Sequence, residues 1–167
     1  MSHYNAILVT AIENMKKEYS QGNVQIRTEA DLQCILFSEC LKLMKQEEFE
    51  RPFELHAEKD VFKRRQKIDL VLGHDEVLVE LKVEPDYPGV NKPVVFSTIK
   101  EACGSGGSVE EDLKKIENYS ERGKHAHFVM IDEDGRHAKK IHGNWNLLDV
   151  KGKKSYFLHV YYKPQGS

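Results

Sequence analysis

The chain has 167 residues, a size at which one domain can bury a substantial core. With 40% hydrophobic and 31% charged residues it has the composition of an ordinary globular protein, and its formal net charge of -2 excludes an overall field that would attract nucleic acid. Any polyanion would have to meet a local basic patch.

The cysteines and the apolar runs exclude further classes. Three cysteines without CxxC spacing indicate neither a disulfide framework nor a zinc ribbon, so we expect reduced, buried structural thiols and a cytoplasmic location: Cys34, Cys40 and Cys103. No apolar run approaches the length of a membrane span, and charged residues interrupt the helical pattern of the first 20 residues. We therefore predict neither a membrane segment nor a signal peptide.

Two amphipathic helices are predicted at the start of the chain. The first covers about residues 3–20 and stops at Gln21-Gly22-Asn23. The second begins after Thr28, a good N-cap, and runs to about Lys45. Their apolar residues recur at helical spacing, which predicts two buried stripes: Ile7, Leu8, Ala11, Ile12, Met15 and Tyr19, then Leu32, Ile35, Leu36, Cys40, Leu43 and Met44.

Three strands should follow. Residues 53–58 alternate like a first strand, and residues 67–72 and 77–83 are rich in β-branched and aliphatic side chains. Between the last two lies Gly73-His74-Asp75-Glu76, which carries turn chemistry. A loop of two or of four residues sets Leu72 opposite Val77 and therefore Asp69 opposite Glu80.

This register divides the hairpin into two faces. One is predicted to be apolar and comprises Ile68, Leu70, Leu72, Val77, Val79 and Leu81. Asp69, Glu80 and Lys82 share the other, where two directly opposed carboxylates repel unless a positive group lies between them, and a divalent metal is the natural occupant. Such a face is also typical of an ordinary solvated strand. Against that interpretation, Val71 and Leu78 share the face and indicate that it is partly covered.

The rest of the chain completes the predicted fold. A long connection containing Gly-Ser-Gly-Gly at residues 104–107 leads to a capping box, Ser108 to Glu111, and a helix to about Arg122. Residues 125–131 and 155–162 read as strands, whereas residues 136–150 are ambiguous. Helices before and after three strands can cover both faces of a sheet, so we predict one α/β (α+β) domain over residues 1–167.

The element order, with Asp69 on the second strand and Glu80-Leu81-Lys82 on the third, resembles the PD-(D/E)XK nuclease superfamily over about residues 28–131. Ile68 stands where that family has its eponymous proline. The resemblance implies a restriction-endonuclease-like fold, a mixed central sheet flanked by helices, to which residues 3–20 and 155–162 are additions. It also implies an endodeoxyribonuclease that hydrolyses DNA phosphodiester bonds, as a homodimer or with a separate targeting partner.

The resemblance also implies roles for particular residues. Asp69 and Glu80 would hold Mg²⁺ or Mn²⁺ together with the Leu81 backbone carbonyl, and Lys82 would assist the attacking water. Glu29 would be a fourth catalytic residue, although an acid in a first helical turn equally suits the helix dipole. The family's polar residue on the second core helix would be Lys115 or Tyr119, which are also candidates for nucleic-acid contacts.

Other polar groups have two interpretations. The basic cluster of Lys63, Arg64, Arg65 and Lys67 could hold phosphates of a nucleic acid, or it could be a solvated turn between strands. His125 and His127 share a strand face, but zinc would need a third ligand that the spacing does not provide. The aromatic residues near the C-terminus indicate sheet packing or a subunit contact before base stacking: Tyr156, Phe157, Tyr161 and Tyr162.

The alternative function is a non-catalytic module that binds nucleic acid or protein on the same fold. The near-neutral charge and the lack of a dedicated DNA-binding segment favour it. The joint presence of Asp69, Glu80 and Lys82 argues against it, because a scaffold without catalysis has no use for opposed carboxylates.

Overall fold

The computed structural model describes residues 2–46, 54–60, 67–84, 109–139 and 143–165. Two helices come first, α1 (His3–Ser20) and α2 (Glu29–Gln46). Three strands follow, β1 (Leu55–Asp60), β2 (Lys67–Leu72) and β3 (Val77–Glu84). The remaining elements are α3 (Val109–Glu121), β4 (His125–Asp132), β5 (Asn146–Val150) and β6 (Lys153–Tyr162). None of the described helices is long and apolar enough to cross a membrane.

The strands form one mixed, six-stranded sheet in the order β1-β2-β3-β4-β6-β5. Neighbouring strands are antiparallel except β3 and β4, which are parallel and need the crossover through α3. This confirms the α+β class and the mixed sheet flanked by helices. The edge strand β5 was not predicted, because its side chains are exposed or half-buried and do not alternate between apolar and polar.

The helices cover both faces of the sheet, as predicted. On one face, α1 and α2 pack against alternate residues of the central strands, such as Leu70, Val79 and Val129. On the other face, α3 packs through Val109 and Ile116 against a second apolar cluster that contains Val71, Leu78, Phe128 and Leu158. Burial of these two clusters is the main favourable contribution to folding.

The predicted hairpin register is confirmed. Leu72 lies opposite Val77, and the pairing continues through Leu70 and Val79. The four-residue turn is closed by the Glu76 amide, which donates to the Gly73 carbonyl at 2.5 Å. Gly73 has a φ of 54° that a residue with a side chain rarely adopts. The observed pairing ends one residue short of Asp69 and Glu80, so their direct opposition stays a prediction.

The predicted face of Ile68 is wrong. Ile68 packs beside Val71 and Leu78 on the α3 side of the sheet, not beside Leu70. The regular alternation breaks at Asp69, where the pairing between β2 and β3 has already ended. On the neighbouring strand β1, Glu58 has a φ of 50° at the position facing Asp69. Ile68 therefore lies on the opposite face of the sheet from Leu70.

One cysteine prediction also needs correction. Cys40 is buried as expected, but Cys34 is exposed. The buried residues of α2 recur every four positions, at Leu32, Leu36 and Cys40, and residue 34 lies half a turn away from them. Cys103 lies outside the described residues.

Candidate functional site

Asp69 is fixed by the backbone of the hairpin. Its Oδ2 atom accepts a hydrogen bond of 2.6 Å from the Leu81 amide, and its own carbonyl accepts one of 2.6 Å from Gln33 Nε2 on α2. In a strand the N–H and C=O of one residue point to the same neighbour. The Leu81 carbonyl should therefore point to the same side of β3 as its amide, and its role as a metal ligand stays a prediction.

Glu80 lies on the α3 side of the sheet and is almost completely buried, with 4% of its surface exposed. Tyr119 Oη donates a hydrogen bond of 3.4 Å to Glu80 Oε1, and Lys115 Nζ lies 3.8 Å from Glu80 Oε2. Both partners come from α3. The two residues that were predicted on the second core helix thus meet Glu80, and Tyr119 is itself buried.

Lys82 joins β3 to the start of α2. Its Nζ atom lies 3.1 Å from Glu29 Oε1. The start of α2 is held by a capping arrangement in which Thr28 Oγ1 accepts from the Asp31 amide and Asp31 Oδ2 accepts from the amides of Arg27 and Thr28. The cap therefore fixes the first turn from which Glu29 reaches Lys82.

Asp112 is the site residue that the sequence analysis missed. It lies in the first turn of α3, and its side chain is 2% exposed. Asp112 Oδ1 lies 2.6 Å from Lys115 Nζ, and Oδ2 lies 3.4 Å from Lys82 Nζ. Helical spacing could have identified it. Residues 112, 115 and 119 lie on one face of a helix, so a helix that directs Lys115 and Tyr119 towards the site also directs Asp112 there.

Burial raises the pKa values of the two central carboxyl groups, which makes them weaker acids. Desolvation, opposed in part by the Leu81 amide, raises the pKa of Asp69 from 3.8 to about 6. Desolvation and then the charge of Asp69 raise the pKa of Glu80 from 4.5 to about 8. Desolvation and the nearby Glu80 also raise the pKa of Tyr119, so this phenol stays protonated and serves as a donor.

The pKa of Lys115 moves in the direction that ion pairing dictates. Burial alone lowers it, but the hydrogen bond to Asp112 and the charge of Glu80 outweigh burial and raise it. Lys115 therefore carries a positive charge at neutral pH and offsets part of the acidic charge of the site.

The charges of this cluster do not balance when every group is ionised. Four carboxylates surround two ammonium groups, an excess of two negative charges: Glu29, Asp69, Glu80 and Asp112 against Lys82 and Lys115. Carboxylate and carbonyl oxygens are the ligands that Mg²⁺ prefers. The donor set of Asp69, Glu80 and the Leu81 carbonyl fits such an ion. Among the described residues, no group of three or more His, Cys, Asp or Glu side chains is arranged to hold a metal.

A small cavity next to Lys82 offers space for water. Its volume is about 60 Å³, and Glu29, Lys82, Glu84 and His137 contribute to its lining. A polar cavity of this size has room for a few water molecules. Glu84, at the end of β3, is half-buried, and desolvation and then the charge of Asp132 raise its pKa from 4.5 to about 7.

The basic cluster does not join this site in the part that can be described. Lys67 is exposed and its Nζ atom lies 3.1 Å from Glu58 Oε2. Lys63, Arg64 and Arg65 lie outside the described residues, as do residues 104–107. The prediction that this cluster holds phosphates stays a prediction.

The two histidines of β4 lie on the opposite face of the sheet. His127 is fully buried, with Nε2 2.7 Å from Asn5 Oδ1 and Nδ1 2.9 Å from His159 Nε2. His125 Nδ1 lies 2.6 Å from the hydroxyl of Tyr161. Desolvation holds the pKa of His127 well below 6.5, so its neutral form completes this network. Hydrogen bonds and ring stacking account for both residues.

No protein-family model, no curated protein and no solved structure matches this chain.

Proposed function

We propose that the protein is a Mg²⁺-dependent nuclease that hydrolyses phosphodiester bonds of DNA at the cluster around Asp69 and Glu80. The observation that carries this proposal is the burial of Asp69 and Glu80 in one cluster, which would hold two more negative than positive charges with every group ionised. One divalent cation would neutralise that excess and favour the ionised form of both carboxyl groups. A site that served only stability has no reason to bury Glu80 beside Asp69, because the two charges oppose each other.

The metal would be held by Asp69, Glu80 and the Leu81 carbonyl, and Mn²⁺ would serve in place of Mg²⁺. Asp69 Oδ2 is used by the Leu81 amide, but a carboxylate has further lone pairs for a metal. When bound, Mg²⁺ would supply acidified water and a positive charge beside the phosphate.

The residues of the chain would supply orientation and charge. Lys82, whose side chain is 14% exposed, borders the cavity and can direct its ammonium group to a water molecule or to a phosphate oxygen. Lys115 and Tyr119 hold the Glu80 carboxylate from the side of α3. Glu29, with nearly half of its side chain exposed, contributes to the lining of the same cavity and would act through water.

The fold supports the same proposal. A helix, a three-stranded antiparallel meander, a helix and a parallel fourth strand follow one another over residues 29–132. This is the order that the PD-(D/E)XK superfamily shares, so we propose a restriction-endonuclease-like core for this segment. The homodimer and the targeting partner that the resemblance implies are predictions that sedimentation and pull-down experiments would test.

The direct test is a cleavage assay with duplex, single-stranded and branched DNA in the presence of Mg²⁺ or Mn²⁺. We expect cleavage by the wild-type protein and none by Asp69→Ala, Glu80→Ala or Lys82→Ala. Asp60→Asn and Lys45→Ala, which change exposed charges on β1 and α2, are matched controls that should cut normally. Intact DNA in every wild-type reaction would overturn the nuclease proposal.

The second candidate is a non-catalytic binding module. It is favoured by the pairing of both lysines, Lys82 and Lys115, with carboxylates inside the cluster. Calorimetric titration with Mn²⁺ separates the two functions. The nuclease should bind Mn²⁺ in a manner that Glu80→Gln abolishes, whereas the module should show no such binding.

A further inference from the structure

Asp112 occupies a position between two lysines that come from different elements. Lys82 belongs to the central strand β3, and Lys115 follows Asp112 by one helical turn on α3. Each oxygen of Asp112 serves a different lysine: Oδ1 is 2.6 Å from Lys115 Nζ, and Oδ2 is 3.4 Å from Lys82 Nζ. The Asp112 carboxylate therefore links α3 to the sheet through its contact with Lys82.

Each lysine also lies near a second carboxylate. Lys82 Nζ also lies 3.1 Å from Glu29 Oε1, and Lys115 Nζ lies 3.8 Å from Glu80 Oε2. The result is a continuous chain of alternating charges in which Asp112 is the middle member. Its side chain is 2% exposed, whereas that of Glu29 is 48% exposed. An exposed ion pair holds a lysine weakly, and a buried carboxylate holds it firmly.

We propose that Asp112 is the positioning residue of the site, which holds the ammonium groups of Lys82 and Lys115 on either side of its carboxylate beside Asp69 and Glu80. This inference rests on the nuclease function proposed above. Asp112 does not touch the reacting phosphate. It acts through Lys82, which it keeps beside the cavity of about 60 Å³, and through Lys115, which it keeps near Glu80.

The position of Asp112 in the helix also has a purely structural explanation. An acid in the first turn of a helix interacts favourably with the helix dipole. Glu110 and Glu111 lie in the same turn and would do the same. Only Asp112 is buried and contacts the two lysines, so Glu110→Gln removes a comparable charge from the helix terminus without touching the site.

The first measurement is independent of activity. Competitive acetylation, read by mass spectrometry, reports how freely each lysine amine reacts in the folded protein. We expect Lys82 and Lys115 to react several-fold faster in Asp112→Asn than in the wild-type protein or in Glu110→Gln, with exposed Lys45 as the internal reference. Equal rates at Lys82 and Lys115 in a folded Asp112→Asn variant would overturn the proposal.

The second measurement is catalysis. Loss of a group that orients a catalytic residue typically costs about tenfold to a hundredfold in activity. We expect this loss in kcat for Asp112→Asn, with KM nearly unchanged, and a partial recovery in Asp112→Glu, which restores the charge and also serves if Asp112→Asn does not fold. A loss shared by Glu110→Gln, or no loss in kcat, would contradict a positioning role.

The two proposals fail in different ways. If the wild-type protein cuts no DNA but acetylation of Lys82 and Lys115 depends on Asp112, the nuclease proposal fails and the positioning of the lysines stands. If the wild-type protein cuts DNA, but Asp112→Asn shows neither faster acetylation of Lys82 and Lys115 nor a lower kcat, the positioning role of Asp112 is refuted and the nuclease proposal stands.

Discussion

The amide of Leu81 donates its hydrogen bond to the side chain of Asp69, at 2.6 Å from Oδ2, and not to a backbone carbonyl of β2. The regular pairing of β2 with β3 ends at Leu70 and Val79. The carboxylate thus takes the place of a backbone partner just beyond the end of this pairing. The Leu81 carbonyl should point to the same side of β3, because the N–H and C=O of one strand residue face the same neighbour.

This contact predicts different results for two substitutions at position 69. Asp69→Asn keeps a side-chain oxygen that accepts from Leu81, and it removes a charge that burial disfavours. We expect a folded protein with unchanged or higher stability but without Mn²⁺ binding. Asp69→Ala leaves the Leu81 amide without its acceptor, which costs about 1 to 3 kcal/mol in the free energy of unfolding. Urea unfolding and calorimetric titration measure both effects. Equal stability of the two variants would refute the role of this hydrogen bond.

A second prediction concerns Glu80 and pH. Its pKa is 4.5 when the chain is unfolded and about 8 in the folded protein, so the folded state binds more protons between these values. Its contribution to stability is therefore greatest below pH 4.5 and is lost as the pH rises towards 8. We expect Glu80→Gln to be more stable than the metal-free wild type by roughly 1 to 3 kcal/mol at pH 8, and by less at pH 6.

The test compares the free energy of unfolding of Glu80→Gln with that of the wild type, because other groups in the protein change stability with pH in the opposite direction. His127 and His159 have pKa values lowered by burial, so their contribution is complete above pH 6.5 and is lost as the pH falls. These histidines are present in both proteins, and their effect cancels. Glu117→Gln, at an exposed position of α3, is the control and should follow the wild-type curve. A constant difference from pH 6 to pH 8 would be inconsistent with a raised pKa of Glu80.

A third prediction concerns metal and stability. A cation that binds only the folded state raises the free energy of unfolding by about 2.7 kcal/mol when its concentration is a hundred times its Kd. The ligands must be ionised to bind it, and Asp69 and Glu80 have pKa values of about 6 and about 8. We therefore expect Mn²⁺ to raise the melting temperature more at pH 8 than at pH 6, and not at all in Glu80→Gln. Scanning calorimetry with and without EDTA makes the comparison.

A fourth prediction tests the turn that sets the hairpin register. At Gly73 the φ is 54°, and an added Cβ would lie 2.3 Å from a ring carbon of Tyr4. At Gly123 the φ is 77°, but nothing lies within 4 Å of the added atom. In both alanine variants the free energy of unfolding should fall by about 1 kcal/mol, because of backbone strain. Gly73→Ala should lose a further 1 to 3 kcal/mol, approximately, because Tyr4 must move. Urea denaturation of the two variants isolates this second loss, and equal losses would contradict it.

The sequence was sufficient for the hairpin because two independent signals agree there. Apolar alternation fixes which side chains face the core, and Gly73 fixes where the chain turns. Together they predicted that Glu80 and Lys82 share a face with Asp69. The same rule failed for Ile68, because it assumes a regular ladder and the ladder is broken by a side-chain hydrogen bond that no pattern reveals.

The remaining differences have similar causes. β5 lies at the edge of the sheet, and so few of its side chains are buried that the strand leaves no periodic signal. Asp112 looks in the sequence like one of three acids at a helix start. Only the packing of α3 against β3 distinguishes the buried one from the two exposed ones, and that packing depends on tertiary structure.

The parallel pairing of β3 and β4 extends over eight residue pairs, from Val77 with His125 to Glu84 with Asp132, and other strands flank it on both sides. The amides of these two strands should exchange with deuterium only when the whole domain unfolds, whereas those of the edge strands β1 and β5 should exchange through local fraying. We therefore expect Glu80 and Lys82 to lie in the last part of the described structure to open, so that fraying of the edge strands leaves these two residues in place.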